Sequence, residues 1–167
     1  MTIAQALLTE FETEAQTTRK FLERLPDDKL AFKPHEKSKT AGNLALHIAS
    51  IPGMIAQAAL EDSWSPPTSG SPEPKSVQEV LEAHDKSVET AKKILPGFDD
   101  ARMAESWSFI IEGKPMLTIP RAALLRSIML NHWYHHRGQF GVYLRLMGCK
   151  VPSSYGPSGD EAPDFMS

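Results

Sequence analysis

The nine residues NHWYHHRGQ (131–139) contain three of the chain's six histidines, His132, His135 and His136. Imidazole nitrogens bind Zn, Ni, Fe or Cu, so the run poses a metal question that ligand type alone does not narrow to one element. Helical geometry separates the three rings. At about 100° per residue, His136 lies about 40° from His132, and His135 lies about 60° away on the other side. Either pairing is sterically able to reach one ion, and the i, i+4 pair is the commoner helical clasp. Leu125, Ile128, Met129, Gln139 and Tyr143 share the His132–His136 face, which is therefore the face expected to point inward.

A third imidazole comes from earlier in the chain. Thr40, Asn43, Leu44, Ile51, Met54 and Ala58 fall on one helical stripe with His47, so this ring also points inward. Three imidazoles from two facing helices would leave coordination positions for water or substrate, which is the pattern of catalytic rather than closed structural zinc. The competing reading is a set of core histidines held by hydrogen bonds. Burying three rings without a shared partner, however, leaves polar nitrogens unsatisfied.

The elements that must position these rings read as helices. Over residues 2–25, Ile3, Leu7, Phe11, Ala15, Phe21, Leu22 and Leu25 recur at helical spacing with charges between them. Residues 26–39 form a polar loop. A second helix is expected over 40–61, with Pro52 and Gly53 predicting a kink or restart near Ser50. DSWSPPTSGSPEPK (62–75) predicts a long, mobile connector. Ser76 or a neighbour caps a third helix over 77–95, and PGFDD stops it. Over 102–119, SWSFII and MLTI flank EGKP as a short hairpin or extended excursion. A fourth helix opens with Pro120 in its first turn, runs to Met147 and stops at Gly148. The expected fold is all-α. It is a four-helix bundle with a long loop between helices two and three and a hairpin-like excursion before helix four. One domain spans 1–167, and 150–167 form a surface tail.

Composition narrows the function classes. The chain has 167 residues, of which 41% are hydrophobic and 23% charged, with a net charge of −3. That balance disfavours a protein built to wrap nucleic acid. Cys149 is the sole cysteine, so no intrachain disulfide forms. The N-terminal residues lack the basic and apolar regions of a secretory signal, and a cytoplasmic location is expected. Thr40 to Leu60 contains no Asp, Glu, Lys or Arg, yet Asn43, His47, Ser50, Pro52, Gly53 and Gln57 mark it as a buried helix rather than a membrane span. So apolar a helix needs cover on more than one face, and a second subunit, giving a homodimer, is one expected cover.

Other residues carry weaker signals. His84 lies on the apolar stripe of helix three, as a core histidine in preference to a fourth ligand or proton carrier. Gln139 either orients a ligand or packs. Arg137 reads as a surface or interhelical ion pair in preference to an anion-binding group. Gly138 and Gly141 suit close helix packing, and Asn43 is either a group supporting His47 or a buried amide. Cys149 falls beyond the ligand face. Trp107, Trp133, Tyr134 and Phe140 read as core or dimer packing, with pocket lining as the alternative. His35-Glu36 begins a zincin-like string that fails at Lys39, and GPSG lacks the glycine spacing of a nucleophile elbow.

HHRGQ after an i, i+4 histidine resembles the closing motif of the DinB/YfiT-like family of metalloenzymes. LPDDKLAFKPHEKSKTAGNLALHIA (25–49) is similar to that family's loop into helix two, which ends on the first metal histidine, and VPSSYGPSGDE (151–161) resembles a common family ending. The resemblance covers most of the chain. It implies a four-helix bundle, often dimeric, with a divalent metal on His47, His132 and His136, leaving His135 as a non-ligand neighbour. Members with assigned activities include low-molecular-weight thiol S-transferases and isomerases, and metal-dependent hydrolases.

Two functions follow as expectations. The first is a metal-dependent enzyme of thiol S-transferase or hydrolase type. It would act on a small molecule or low-molecular-weight thiol, with Zn as the first choice of metal and Ni or Fe as alternatives. The second is a non-catalytic stress-related binding protein with a structural metal or none. Neither nucleic acid nor membrane is an expected partner.

Overall fold

The computed structural model of the chain describes residues 1–67, 72–163 and 166. The four expected long helices are present as α1 (Ile3–Leu22), α2 (Ala41–Ala58), α3 (Val77–Ile94) and, at the end, a composite helix. That last helix consists of α5 (Arg121–Leu124), a π-helical stretch (Leu125–Asn131) and α6 (His132–Leu146). Between α3 and the composite helix lie a short helix, α4 (Asp100–Ala104), and two strands, β2 (Ser106–Ile111) and β3 (Lys114–Pro120). A two-residue strand, β1 (Ser63–Trp64), adds to them in the sheet order β1-β2-β3.

Local chemistry sets most of the boundaries. Thr2 accepts from the Gln5 backbone N–H while the Gln5 side chain accepts from the Thr2 N–H, a capping box. Thr40 and Ser76 cap α2 and α3 by accepting from the backbone N–H groups of Asn43 and Glu79. Gly148, at φ +77°, ends the composite helix in the left-handed conformation that favours glycine. The excursion is a hairpin: β2 and β3 pair antiparallel around Glu112 and Gly113, both at positive φ. The hairpin's other edge pairs in parallel with β1, with Ser63 opposite Ser108 and Trp64 opposite Phe109. The composition of the 62–75 connector hides that strand. Its expected mobile centre, residues 68–71, lies outside the described residues.

The long helices pack in the cyclic order α1, α3, α2, α6, around a core that includes Phe11, Leu44, Ile48, Met129, Trp133 and Phe140. The α2–α3 contact is so close that a Cβ on Gly53 would stand 2.9 Å from the Ser87 Cα. Among the described residues no helix is long and apolar enough to cross a membrane.

Two expectations about helix ends are corrected. The fourth helix does not take Pro120 into its first turn. Pro120 closes β3 and serves as the N-cap of α5, because its extended ψ of 147° continues the strand up to the helix. Nor does α2 stop and restart near Ser50. It runs through Pro52, and its neighbours repair the opened backbone ladder. Pro52 has no N–H for the Ile48 carbonyl, and that carbonyl accepts instead from Trp133 Nε1 at 2.9 Å. The Gly53 N–H donates to Ser87 Oγ at 2.7 Å, and Ser87 Oγ donates in turn to the Ser50 carbonyl at 3.3 Å. A break in one helix thus becomes a set of bonds to two others.

Candidate metal centre

Those bonds govern where the histidines sit. Ile48 follows His47 and Trp133 follows His132, so the Trp133–Ile48 hydrogen bond joins the two helices one residue beyond each ring. The three ring centroids lie 5.4 Å (His47–His132), 4.7 Å (His47–His136) and 4.5 Å (His132–His136) apart. One nitrogen from each ring falls in a group spanning no more than 4.8 Å, and all three rings are half-buried. Among the described residues no Asp, Glu or Cys joins the group.

His132 marks the point where the π-helix reverts to α. Its N–H donates to the Ser127 carbonyl, five residues back, and so passes over the Ile128 carbonyl. The Ile128 carbonyl then stands by the His132 ring, where it favours the ring's N–H form. Its geometry falls short of a full hydrogen bond, and His132 Nδ1 is buried without another partner among the described residues. The outer nitrogen of His136 is better held. Nδ1 lies 2.9 Å from Gln139 Oε1, which only accepts, so Nδ1 carries the hydrogen and Nε2 presents its lone pair.

These outer contacts test the fit of a cation. His132 Nε2 and His136 Nε2 are 2.8 Å apart. If the outer nitrogens of both rings carry their hydrogens toward Gln139 and Ile128, two lone pairs face each other at that distance. Only a shared positive centre relieves this. If His132 instead donates Nε2–H to His136, its Nδ1 lone pair is left buried beside a carbonyl oxygen. The tautomers that the surroundings favour are the ones that bind a metal. Tetrahedral zinc with bonds of about 2.0–2.1 Å needs nitrogens about 3.3 Å apart, which small ring shifts supply.

Electrostatics point the same way. Burial pushes the pKa of His47 down to about 4, helped by the positive charges of His136, His132 and Lys39. Burial also lowers those of His132 and His136. All three rings are thus neutral and ready to ligate at neutral pH. Among the described residues no carboxylate is among the charges acting on them.

The other candidates sort clearly. His135 is exposed, with its ring 4.9 Å from that of His136, and stands outside the group. His84 is 3% exposed, stacks on Trp133 at 6.4 Å and contacts Asp85 through Nδ1, also outside the group. Asn43 is buried and accepts from Lys39 Nζ at 3.0 Å, which holds that cation near the rings. His35 lies on the exposed loop and accepts from the Lys37 N–H. Cys149 is half-buried and free. Gly141 meets Phe21 and Val151 closely, whereas a Cβ on Gly138 would meet nothing within 4 Å, so the packing expectation holds for Gly141 alone.

Of the two readings of Arg137, the interhelical ion pair holds and the surface position does not. The residue is 3% exposed, ion-paired with Glu14, and placed 5.2 Å from the rings of both Tyr134 and Tyr155. It secures the tail to α1 and α6, and the Glu14 carboxylate, the Thr18 hydroxyl and the two tyrosine faces together offset the burial of its guanidinium. Sequence reasoning passed over Arg121 altogether. Its side chain is fully buried and donates from Nε to the Ala59 carbonyl and from Nη2 to the Glu61 carbonyl, both at 2.8 Å. It also pairs with Asp62 and Glu105. The available signal was a cation four residues before Leu125 on the inward stripe.

Three half-buried imidazoles brought together between two helices, in a mainly helical bundle with a small sheet, define a helical protein with a candidate three-histidine metal site. Comparison with known proteins agrees with that fold. The DinB family model matches residues 1–164, and the chain belongs to this family. It is 30% identical over 159 residues to the uncharacterized protein YrdA of Bacillus subtilis (strain 168), covering 95% of this chain and 91% of that one. Among solved structures, a DinB-like protein from Bacillus cereus ATCC 10987 superposes with a TM-score of 0.72 at 26% identity, covering 90% of this chain and 97% of the other. The DinB-like protein YjoA from Bacillus subtilis shares the fold, with a TM-score of 0.70 at 22% identity over 90% of this chain and 96% of its own.

The Trp133 tether yields a prediction. Trp133→Phe keeps an aromatic ring in the core but leaves the Ile48 carbonyl unpaired, which should cost about 1–3 kcal/mol. It should also weaken metal binding, because His47 is no longer held in register with His132. Chemical denaturation and metal titration of the same variant check the two effects separately.

Proposed function

We propose that the chain is a divalent-metal-dependent enzyme of transferase or hydrolase type, with the ion held by His47, His132 and His136. The observation that carries this reading is the pair of Nε2 atoms 2.8 Å apart, with His136 Nδ1 committed to Gln139. A divalent ion there would supply Lewis acidity, polarising a water or a low-molecular-weight thiol and lowering its pKa toward neutrality. Zinc is the first choice, and Ni or Fe suits the same imidazole donors. Gln139 fixes the His136 tautomer, the Ile128 carbonyl steadies His132, and Trp133 holds α2 in register. Three neutral ligands cancel none of the ion's charge, and Lys39 adds to it, so the site favours an anionic partner such as a thiolate or carboxylate. A homodimer is part of this reading.

The alternative, a non-catalytic stress-related binding protein, draws on one observation. Among the described residues no carboxylate acts on the three rings to serve as a general base. Zinc-loaded protein screened for thiol conjugation and for ester and amide hydrolysis separates the two. The enzyme reading expects turnover that chelation removes and His136→Ala abolishes. Bound metal with no turnover in any screen supports the binding protein. Stoichiometric metal in a variant lacking all three rings would refute the site.

A further inference from the structure

A second feature lies along the same seam between α2 and the composite helix. Ile55, Trp64, Trp107, Phe109, Leu117 and Ile128 enclose a cavity of about 280 Å³ whose lining exposes no polar surface. The site of His47, His132 and His136 shares both of its helices. Ile128 precedes His132 by four residues, about 6 Å along the axis, and Ile55 follows His47 by eight, about 12 Å. The two helices run antiparallel there, because Trp133 bonds Ile48 near the cluster while Arg121 bonds Ala59 at the far end. The cavity therefore sits beyond the histidines toward the C-terminus of α2.

Its walls are held rather than collapsed. Trp107 Nε1 donates to the Ala58 carbonyl at 3.0 Å, and Trp64 leans on Phe109 with centroids 5.8 Å apart. Apolar cavities of about 150 Å³ stay dry and accept a benzene ring, so one of this size takes an aryl group or a medium alkyl chain. Lys39 lies on the other side of the rings, held by Asn43. In order along α2 come a cation, the imidazole cluster and an apolar chamber.

We propose that this chamber receives an aryl or straight-chain alkyl group of an anionic molecule whose acidic end lies at the histidine cluster. The proposal rests on the metal reading above and adds a substrate class to it: an apolar acid, or a thiol or acyl compound with an apolar tail. Charge complementarity selects the anionic end, and the absence of polar lining selects the other.

The test is a series of straight-chain hydroxamates, from two to eight carbons, titrated by calorimetry onto zinc-loaded protein. Affinity is expected to rise about three- to fourfold per methylene once the chain enters the chamber, over about four to eight carbons. Leu117 is 41% exposed at the mouth, so changing it puts little at risk in folding. Leu117→Trp, which fills the chamber, and Leu117→Asp, which charges it, are both expected to flatten the series and spare acetohydroxamate. A flat series in the unaltered protein overturns the proposal. So does a dimer that Leu117→Asp dissociates in sedimentation while the series stays flat, since a second copy then occupies the chamber. Failure of acetohydroxamate itself to bind marks failure of the metal reading. In that event, quenching of the tryptophan fluorescence by 1-bromohexane, whose bromine quenches indole on contact, decides the chamber alone in metal-free protein. Quenching removed by Leu117→Asp supports an apolar occupant, and no quenching overturns one.

Discussion

Arg121→Met is expected to lower the stability of the folded chain by about 1–3 kcal/mol, the cost of leaving the buried Ala59 carbonyl without its donor. The reason begins with α2. The last four carbonyls of a helix have no partner within it, and the last turn of α2 contains no basic residue. Its end is capped from outside: Trp107 donates to Ala58, Arg121 to Ala59 and Glu61, and Arg102 to Leu60. Arg121 is the only fully buried member of this set that also carries charge. Its hydrogen bond holds the Asp62 carboxyl below the usual carboxylate range. Methionine fills much of the volume but leaves the buried Ala59 carbonyl unpaired and removes the donor to the part-buried Glu61 carbonyl. Arg121→Lys should recover only part of the loss, because a single ammonium cannot match the guanidinium fork. Urea unfolding of the three proteins measures this. A loss below about 1 kcal/mol for Arg121→Met would mean that water replaces the lost bonds.

The second large effect is expected at the cluster. His47→Ala should weaken zinc binding by at least about 100-fold. Gln139→Leu, which removes only the group orienting His136, should cost about 10- to 100-fold. His135→Ala should leave binding unchanged, since its ring lies outside the group. Competition titrations against a zinc chelator give all three. Equal affinity in His47→Ala and unaltered protein would remove α2 from the site.

The same rings set a pH dependence in metal-free protein. An unfolded histidine titrates near 6.5, whereas folded His47 titrates at about 4, with burial as the largest cause. His84, His132 and His136 shift in the same direction, again through burial. Between about pH 4 and 6.5 the unfolded chain therefore binds protons that the folded chain refuses. Stability is full above about 6.5 and falls as the pH drops toward 4. Zinc should flatten this fall in the upper part of that window, because the rings it holds compete well with protons there. Thermal melts with and without zinc across pH 4–8 follow both curves.

Much of this was legible in the residues. Helical spacing marked the four long helices, and Glu112-Gly113 between two β-rich runs marked the hairpin. Angular arithmetic put His132 and His136 on one face with His135 near its edge, a shared stripe brought in His47, and the family resemblance set His135 aside. These readings succeed because helix period, capping and turn chemistry are local, so a short window of sequence contains all the atoms involved. The π-helical stretch was not legible. Its i→i+5 bonds follow from how Leu125, Met129 and Leu130 pack in the core, which no local preference encodes.

The sequence by itself determined which residue types were available to bind a cation, and on which helix faces they lie. Only the tertiary structure decided that three nitrogens meet within 4.8 Å. It also decided that Pro52, a helix breaker by its own chemistry, supplies the free carbonyl that Trp133 uses to bring His47 opposite His132. Arg121 shows the same division: it reads as an ordinary helix-start residue until folding brings the end of α2, some sixty residues earlier, under its guanidinium. A hydrogen bond between distant residues depends on where packing brings their backbones, and the spacing of neighbours along the chain does not encode that.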